Sequence, residues 1–280
     1  MTCCGFHVLK AGLCYHPAGM ARRGAGFCPT EFPALAGLIL HPSEGPILFD
    51  TGYDPAFFAA TQTMPERLYR WATPVTLKDG HAAANQLARF GLAPEDIRAA
   101  VISHFHGDHI AGLHAFPKAR VFCSRLGADE LKRSSRFARV RRGVLSALAP
   151  ADIHATATFF EDFAPCTLGV DMTPFEAGAD LFGDGSLIAV RLPGHCVGHW
   201  GLLLTDQDGR KTFLIGDAAW SSRAVRDNIP PPRLTTALLG DTETYRNTLR
   251  DLHALQKRNS EILLAPSHCP EIAALAETPS

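Results

Sequence analysis

The chain has 280 residues, 46% of them hydrophobic and 20% charged, with a formal net charge of −1. That apolar content suffices to bury a sizeable core, and the near-neutral balance gives no electrostatic reason to expect nucleic acid or a membrane surface as partner. No run of about 18 apolar residues suggests a spanning helix. The opening MTCCGFHVLKAGLC lacks the basic start and long apolar stretch of a signal peptide, so a cytoplasmic location is the expectation. Eight cysteines without a CxxC pair read as reduced thiols packed as small hydrophobes, not as a disulfide framework.

In chain order, ALAGLIL (34–40) and PILFDTG (46–52) predict two strands joined by the turn residues HPSEG, a hairpin. From His81 to Phe90 the pattern is helical, and Gly91 stands where a C-terminal cap belongs. PEDIRAAVISH predicts a helical turn and then a buried strand ending at Ser103 or His104. ARVFCS (119–124) is another strand candidate, leading into a helix through Lys132. Residues 134–165 are expected to be an inserted helical segment and loop, a candidate lid. The basic cluster of Lys132, Arg133, Arg136, Arg139, Arg141 and Arg142 reads first as a solvated helix face, with an anion-attracting rim as the alternative.

Strand signals return in SLIAVRLPG, HWGLLLTD and KTFLIGD, with QDG (207–209) as a tight turn between the last two. Asp241 is placed to cap a long helix reaching about Lys257, whose Tyr245, Leu249, Leu252 and Leu255 lie along one face. EILLAPSH follows as strand plus loop. Strands and helices alternate in two halves without a Pro/Gly-rich linker, which predicts one layered α/β domain over residues 1–280.

The chemistry is concentrated in ISHFHGDHIAGL (102–113), where His104, His106, Asp108 and His109 fall within six positions after an apolar run. In extended backbone His104 and His106 point the same way, and Gly107 lets the chain turn before Asp108 and His109. The arrangement can offer two divergent ligand sets to two neighbouring metal ions. Three further groups stand at the ends of apolar runs: His195 in LPGHCVGH, Asp217 in FLIGDAAW and His268 in LLAPSHCP. They are expected to converge on one rim of the sheet, where function collects. Imidazole and carboxylate donors suit zinc best, with iron, manganese or cobalt as alternatives. His199 reads as structural, and Cys196 and Cys269 as neighbours of ligands, not catalysts.

The order HxHxDH, then His, Asp and His, together with LFDTG, resembles the metallo-β-lactamase-fold hydrolase superfamily along the whole chain, with all seven expected ligands present. The resemblance implies the four-layer αββα sandwich and two divalent metal ions. His104, His106 and His195 would hold one, Asp108, His109 and His268 the other, and Asp217 would bridge them. It also implies that Asp50 orients a ligand histidine by hydrogen bonding, the alternative being a turn residue before Gly52. Two ions so placed can share a hydroxide that attacks a carbonyl or phosphoryl centre, with Asp108 or Asp217 relaying a proton to the leaving group.

Within that superfamily, His106 argues against the diiron flavoprotein branch, and Asp217 against the β-lactamases that carry cysteine there. Only twelve residues follow His268, too few for the helical domain of glyoxalase II-like thioesterases. LKAGLCYHPAGM, FPALAGLIL and LFDTG resemble the branch of acyl-homoserine lactonases and methyl parathion hydrolase. Those lactonases typically carry a tyrosine three residues after the bridging aspartate; Trp220 stands there instead, which favours an apolar or aromatic leaving group. Phe105 and Trp220, beside ligands, are expected with Met20, Phe27, Phe32 and Trp71 to line an apolar substrate pocket. The expected activity is hydrolysis of a small lactone or ester. Alternatives are phosphotriester or phosphodiester hydrolysis, a non-catalytic metal-binding signalling protein, and nucleic-acid hydrolysis through the basic cluster. The expected partner is a small-molecule substrate, with no nucleic acid or membrane, and a homodimer is left open.

Overall fold

A computed structural model describes residues 2–21, 24–133 and 135–276. Its strands form two sheets. The first runs in the order β4 (Val75–Thr76), β1 (Gly5–Pro17), β2 (Pro29–His41), β3 (Gly45–Phe49), β5 (Ala99–Val101), β6 (Arg120–Cys123), β7 (Thr158–Phe159). The second runs β13 (Leu263–Pro266), β12 (Lys211–Gly216), β11 (Trp200–Thr205), β10 (Leu187–Arg191), β9 (Ala177–Asp180), β8 (Pro165–Thr167). The expected hairpin is present: β2 pairs antiparallel with β3, Leu40 opposite Pro46 and Gly37 opposite Phe49. β1, a strand of 13 residues, lies outside the elements expected from sequence.

The period-2 geometry of a strand sorts apolar residues onto two faces. In β3, Ile47 and Phe49 face the second sheet and Leu48 faces outward; in β11, Leu202 and Leu204 face inward and Leu203 outward. The inner faces close a shared core with Val8, Ile39, Val101, Leu187 and Leu214. Outside the second sheet, the helix Thr242–Arg258 lays Tyr245, Leu249, Leu252 and Leu255 on Phe213 and Ile215. Asp241 caps it by accepting from Thr244 N at 2.7 Å, as the sequence predicts. Outside the first sheet, Leu9, Leu38 and Leu48 pack on Ala83, Leu87 and Ile97, and Gly91 ends the helical run there at φ 70°. Helix, sheet, sheet, helix is the αββα order.

Of the expected insertion, residue 134 lies outside the described residues, and residues 135–165 depart from a simple inserted helix and loop. They hold short helical pieces at Arg136–Arg141 and Ile153–Thr156, but also β7 of the first sheet and the start of β8 of the second. The segment is thus the passage from one sheet to the other. Its basic cluster is partly paired: Arg136 with Glu66 at 2.7 Å and Arg142 with Glu130 at 2.5 Å.

β3, β5 and β6 run parallel. β12 is parallel to β13 and, through β11, to β10. The carboxyl ends of each parallel set therefore open onto one rim. Asp50 follows β3, the 104–109 loop follows β5, His195 follows β10, Asp217 follows β12 and His268 follows β13.

Candidate metal centre and substrate cavity

The seven sequence-predicted ligands converge at that rim, and all are buried. His195 Nε2 lies 3.0 Å from His106 Nδ1 and 3.2 Å from Asp217 Oδ2. His268 Nε2 lies 3.2 Å from both Asp108 Oδ2 and Asp217 Oδ1, and His109 Nε2 lies 3.4 Å from Asp217 Oδ1. Donor atoms of His104, His109 and Asp217 lie within 4.8 Å of one another, as do those of Asp108, His109 and His268.

The far nitrogens of three imidazoles are held from behind, which fixes their tautomers. His268 Nδ1 donates to the Pro33 carbonyl at 2.8 Å, and His109 Nδ1 donates to Asp50 Oδ2 at 2.7 Å. The Ser103 hydroxyl has one proton, which it gives to Asp50 Oδ2 at 2.7 Å. It must therefore accept from His104 Nδ1, 2.9 Å away. Each ring then turns Nε2 inward.

A divalent cation fits these residues. Among the described residues, His104 Nε2, His109 Nε2 and Asp217 Oδ1 are buried without a hydrogen-bond partner, a costly arrangement for polar atoms unless something satisfies them. The donor set, imidazole nitrogens around a carboxylate, is one that divalent metals take. His104, His106, His195 and Asp217 would surround one position, and Asp108, His109, His268 and Asp217 a second.

The electrostatics fit the same reading. Burial opposes ionisation of Asp217, but His268, His109 and His195 overcome it and hold the carboxyl well below the usual range. Asp108 is likewise held down against burial, chiefly by His109 and His268. Burial pushes His106 down to about 4 and His195 well below its ordinary value. Burial also acts against His109, yet Asp108, Asp50 and Asp217 raise it to about 10.

Asp50 stands behind one of these rings. It accepts from His109 Nδ1, Ser103 Oγ and Ser103 N, and it adopts φ 58°, a left-handed conformation rarely taken by residues other than glycine. His199, read from sequence as structural, accepts the backbone N–H of Asp217 at 3.0 Å through Nε2. It thereby fixes the start of the loop that carries Asp217.

A cavity of ≈ 530 Å³ opens onto Asp108, Asp217, His106, His195 and His268. Its walls are mostly apolar: Met20, Phe32, Leu68, Tyr69, Phe137, Val140, Trp220, Leu238 and Leu239. Met20, Phe32 and Trp220 lie where sequence expected them, and Trp220 packs edge-on to Phe32 and His195 with centroids 6.2 Å apart in each case. Three expectations are corrected. Phe27 is 91% exposed and does not line the cavity; it sits beyond the end of the β1–β2 pair. Phe105 is buried on the other side of its loop, within 2.9 Å of where a Gly127 side chain would start, because alternation in extended backbone sends it away from its histidine neighbours. Trp71, 63% exposed, is also outside.

Sequence reasoning missed Ser103, although it directly precedes the histidine motif. It also missed Leu68, Tyr69, Phe137, Val140, Leu238 and Leu239, which come from short helices with no motif to flag them.

Comparison with known proteins agrees with the geometry. Residues 29–258 match the model of the metallo-beta-lactamase superfamily. A probable metallo-hydrolase of Mycobacterium bovis is 26% identical over 85% of this chain and 76% of its own length. The N-acyl homoserine lactonase AiiB of Agrobacterium fabrum is 23% identical over 89% of this chain and 84% of its own. Among solved structures, AiiA of B. thuringiensis, with N-decanoyl-L-homoserine at its active site, superposes with a TM-score of 0.73 at 18% identity, covering 99% of this chain and 98% of that one. With its ligand-bearing loops on one rim of two stacked sheets and a His/Asp cluster fit for divalent metal, the chain belongs to the metallo-beta-lactamase superfamily.

Proposed function

We propose that this chain is a dinuclear metal-dependent hydrolase that opens a lactone or cleaves an ester carrying an apolar acyl group. The observation that supports it is the convergence of seven buried imidazole and carboxylate groups, five of which (His106, Asp108, His195, Asp217 and His268) line a cavity whose walls are mostly apolar. Curated relatives named as lactonases point the same way.

Two divalent ions, zinc being the best match to the donors, would supply Lewis-acid polarisation of an acyl oxygen and acidification of water near neutral pH. The chain's own residues do the rest. Pro33, Asp50 and Ser103 keep His268, His109 and His104 in the tautomer that presents Nε2. Asp108 and Asp217 line the cavity as carboxylates, so either can accept a proton from water and return it to the departing oxygen. Leu68, Val140, Leu238 and Leu239 exclude water and receive an acyl chain; the cavity volume lies within the range of small-molecule sites. Trp220 has no phenolic proton to give, so its ring serves as a wall beside His195.

A second reading is favoured by that same aromatic wall. Phe32, Tyr69, Phe137 and Trp220 would suit an aryl ester or aryl phosphotriester. The test is turnover by the metal-loaded protein on acyl-homoserine lactones of several chain lengths, aryl esters and an aryl phosphotriester, with Asp108→Asn as control. Lactone opening that the variant loses is the expected result. Activity on the aryl compounds alone would replace it with the second reading, and silence throughout with metal bound would overturn both.

A further inference from the structure

The mouth of the substrate cavity carries a surface that the metal centre does not explain. Three short helices line the cavity: Arg67–Ala72 through Leu68 and Tyr69, Arg136–Arg141 through Phe137 and Val140, and Arg233–Leu239 through Leu238 and Leu239. The first two are tied together at Arg136, which donates to Glu66 and to the Met64 carbonyl. Their apolar stripes do not stop at the cavity wall. Leu234 lies one turn before Leu238 on the same helix face and is 83% exposed. Trp71 stands one turn after Leu68, and Met64 lies just ahead of the same helix; both are exposed. Six of the eleven exposed large apolar side chains among the described residues fall on these segments, so the patch is a concentration and not scatter. A protein surface in water seldom gathers such side chains unless something covers them.

The same helices are one-sided in charge. Their sequences, RLYRWA, RFARVR and RLTTALL, hold six arginines and no aspartate or glutamate, in a chain whose net charge is −1. Glu66, just ahead of the first helix, pairs with Arg136 alone among them in a close ion pair.

This combination selects the occupant. A second copy of the chain in a two-fold contact would set the patch against itself, arginine against arginine, which is repulsive. Nucleic acid would meet the arginines but leave Met64, Leu234 and Leu238 unused, since bases are held by stacking on aromatic rings and guanidinium groups. The boundary between phosphate headgroups and acyl chains takes both, apolar tips entering the acyl layer while guanidinium groups lie among the phosphates.

We propose that this face docks on an anionic lipid surface. Trp71, Phe137 and Leu234 reach the acyl layer, Arg67, Arg70 and Arg233 meet the headgroups, and the cavity opens onto the bilayer. Such docking goes beyond the reaction proposed above and is read without turnover, so failure of one leaves the other standing.

The test is binding of the full chain to vesicles of phosphatidylcholine alone and of phosphatidylcholine mixed equally with phosphatidylglycerol, followed by co-sedimentation and by tryptophan emission. Of the three tryptophans, Trp71 is the exposed one. The expected result is co-sedimentation with the anionic vesicles that weakens as salt rises, and a blue shift in emission that Trp71→Phe abolishes. Leu234→Glu should weaken binding about tenfold or more. Val170→Glu, at an equally exposed position beyond β8, should not. Absence of binding by the native protein would overturn the proposal without recourse to any variant. Equal binding to neutral vesicles, equal losses in the two glutamate variants, or a blue shift that survives Trp71→Phe would overturn it as well. A dimer that buries Trp71 without lipid would give the face to a second copy, and binding to single-stranded RNA but not to vesicles would give it to nucleic acid.

Discussion

Asp50 Oδ2 accepts a hydrogen bond from His109 Nδ1 at 2.7 Å while both side chains are wholly buried. The same oxygen accepts from Ser103, whose hydroxyl in turn holds His104. One carboxylate at the end of β3 thus orients two histidines of the cluster at the end of β5, its neighbour in the sheet. Replacing Asp50 with asparagine puts an N–H₂ or a weaker acceptor at that junction. Divalent-metal affinity is expected to fall about 10–100-fold, the usual loss when such an orienting partner is removed. Competition titration against a chromogenic chelator measures it, and unchanged affinity would show that the histidines hold their places without Asp50.

The turn between β12 and Asp217 leaves no room for a side chain. Gly216 sits at φ 52°, and a Cβ there would meet His199 Nε2 at 2.8 Å. Gly216→Ala therefore adds the strain of left-handed backbone, about 1–3 kcal/mol, and pushes on the ring that holds Asp217 N. A lower urea midpoint and weaker metal binding are expected together. A loss of stability with metal affinity intact would show that His199 does not position Asp217.

The apolar wall can be tested at its most exposed member. Phe137 is 65% exposed yet lines the cavity, so Phe137→Ala should leave the fold intact. It removes about 1 kcal/mol of apolar contact with a long acyl chain, about fivefold in kcat/KM. Short-chain substrates should change little. Equal losses for all chain lengths would place the acyl group elsewhere.

Stability against pH follows from the buried imidazoles. Burial pushes His199 down to about 3 and His106 down to about 4, below the ordinary value of about 6.5. The stability tied to them is full above that value and is lost as pH falls from it toward their folded values. His109 goes the other way: raised to about 10 by Asp108, Asp50 and Asp217 against burial, it contributes stability that is full below about 6.5 and is lost as pH rises toward 10. Chelator-treated protein should therefore be most stable near pH 6.5. Bound metal displaces the His109 proton, so the alkaline decline should flatten. Urea midpoints from pH 4 to 10, with and without metal, test this; a chelated protein that gains stability from pH 7 to 9 would contradict it.

The cluster of imidazoles and carboxylates was legible in the sequence because its chemistry is dense and local. Four donors fall within six residues at the end of an apolar strand, and three more each close an apolar run of their own. The helix after Asp241 was equally plain, since its cap and its 3.6-residue stripe lie within the helix itself. Only the tertiary structure decided the rest. Which nitrogen each histidine turns inward depends on Pro33, Asp50 and Ser103, and the Pro33 carbonyl lies 235 positions from His268. The cavity wall is assembled from helices that share no pattern, so sequence placed Phe27 and Phe105 in it and passed over Leu239. A strand end announces itself by an apolar run that stops at a polar side chain. A cavity wall is surface left over when separate elements pack, and no single stretch of sequence encodes it.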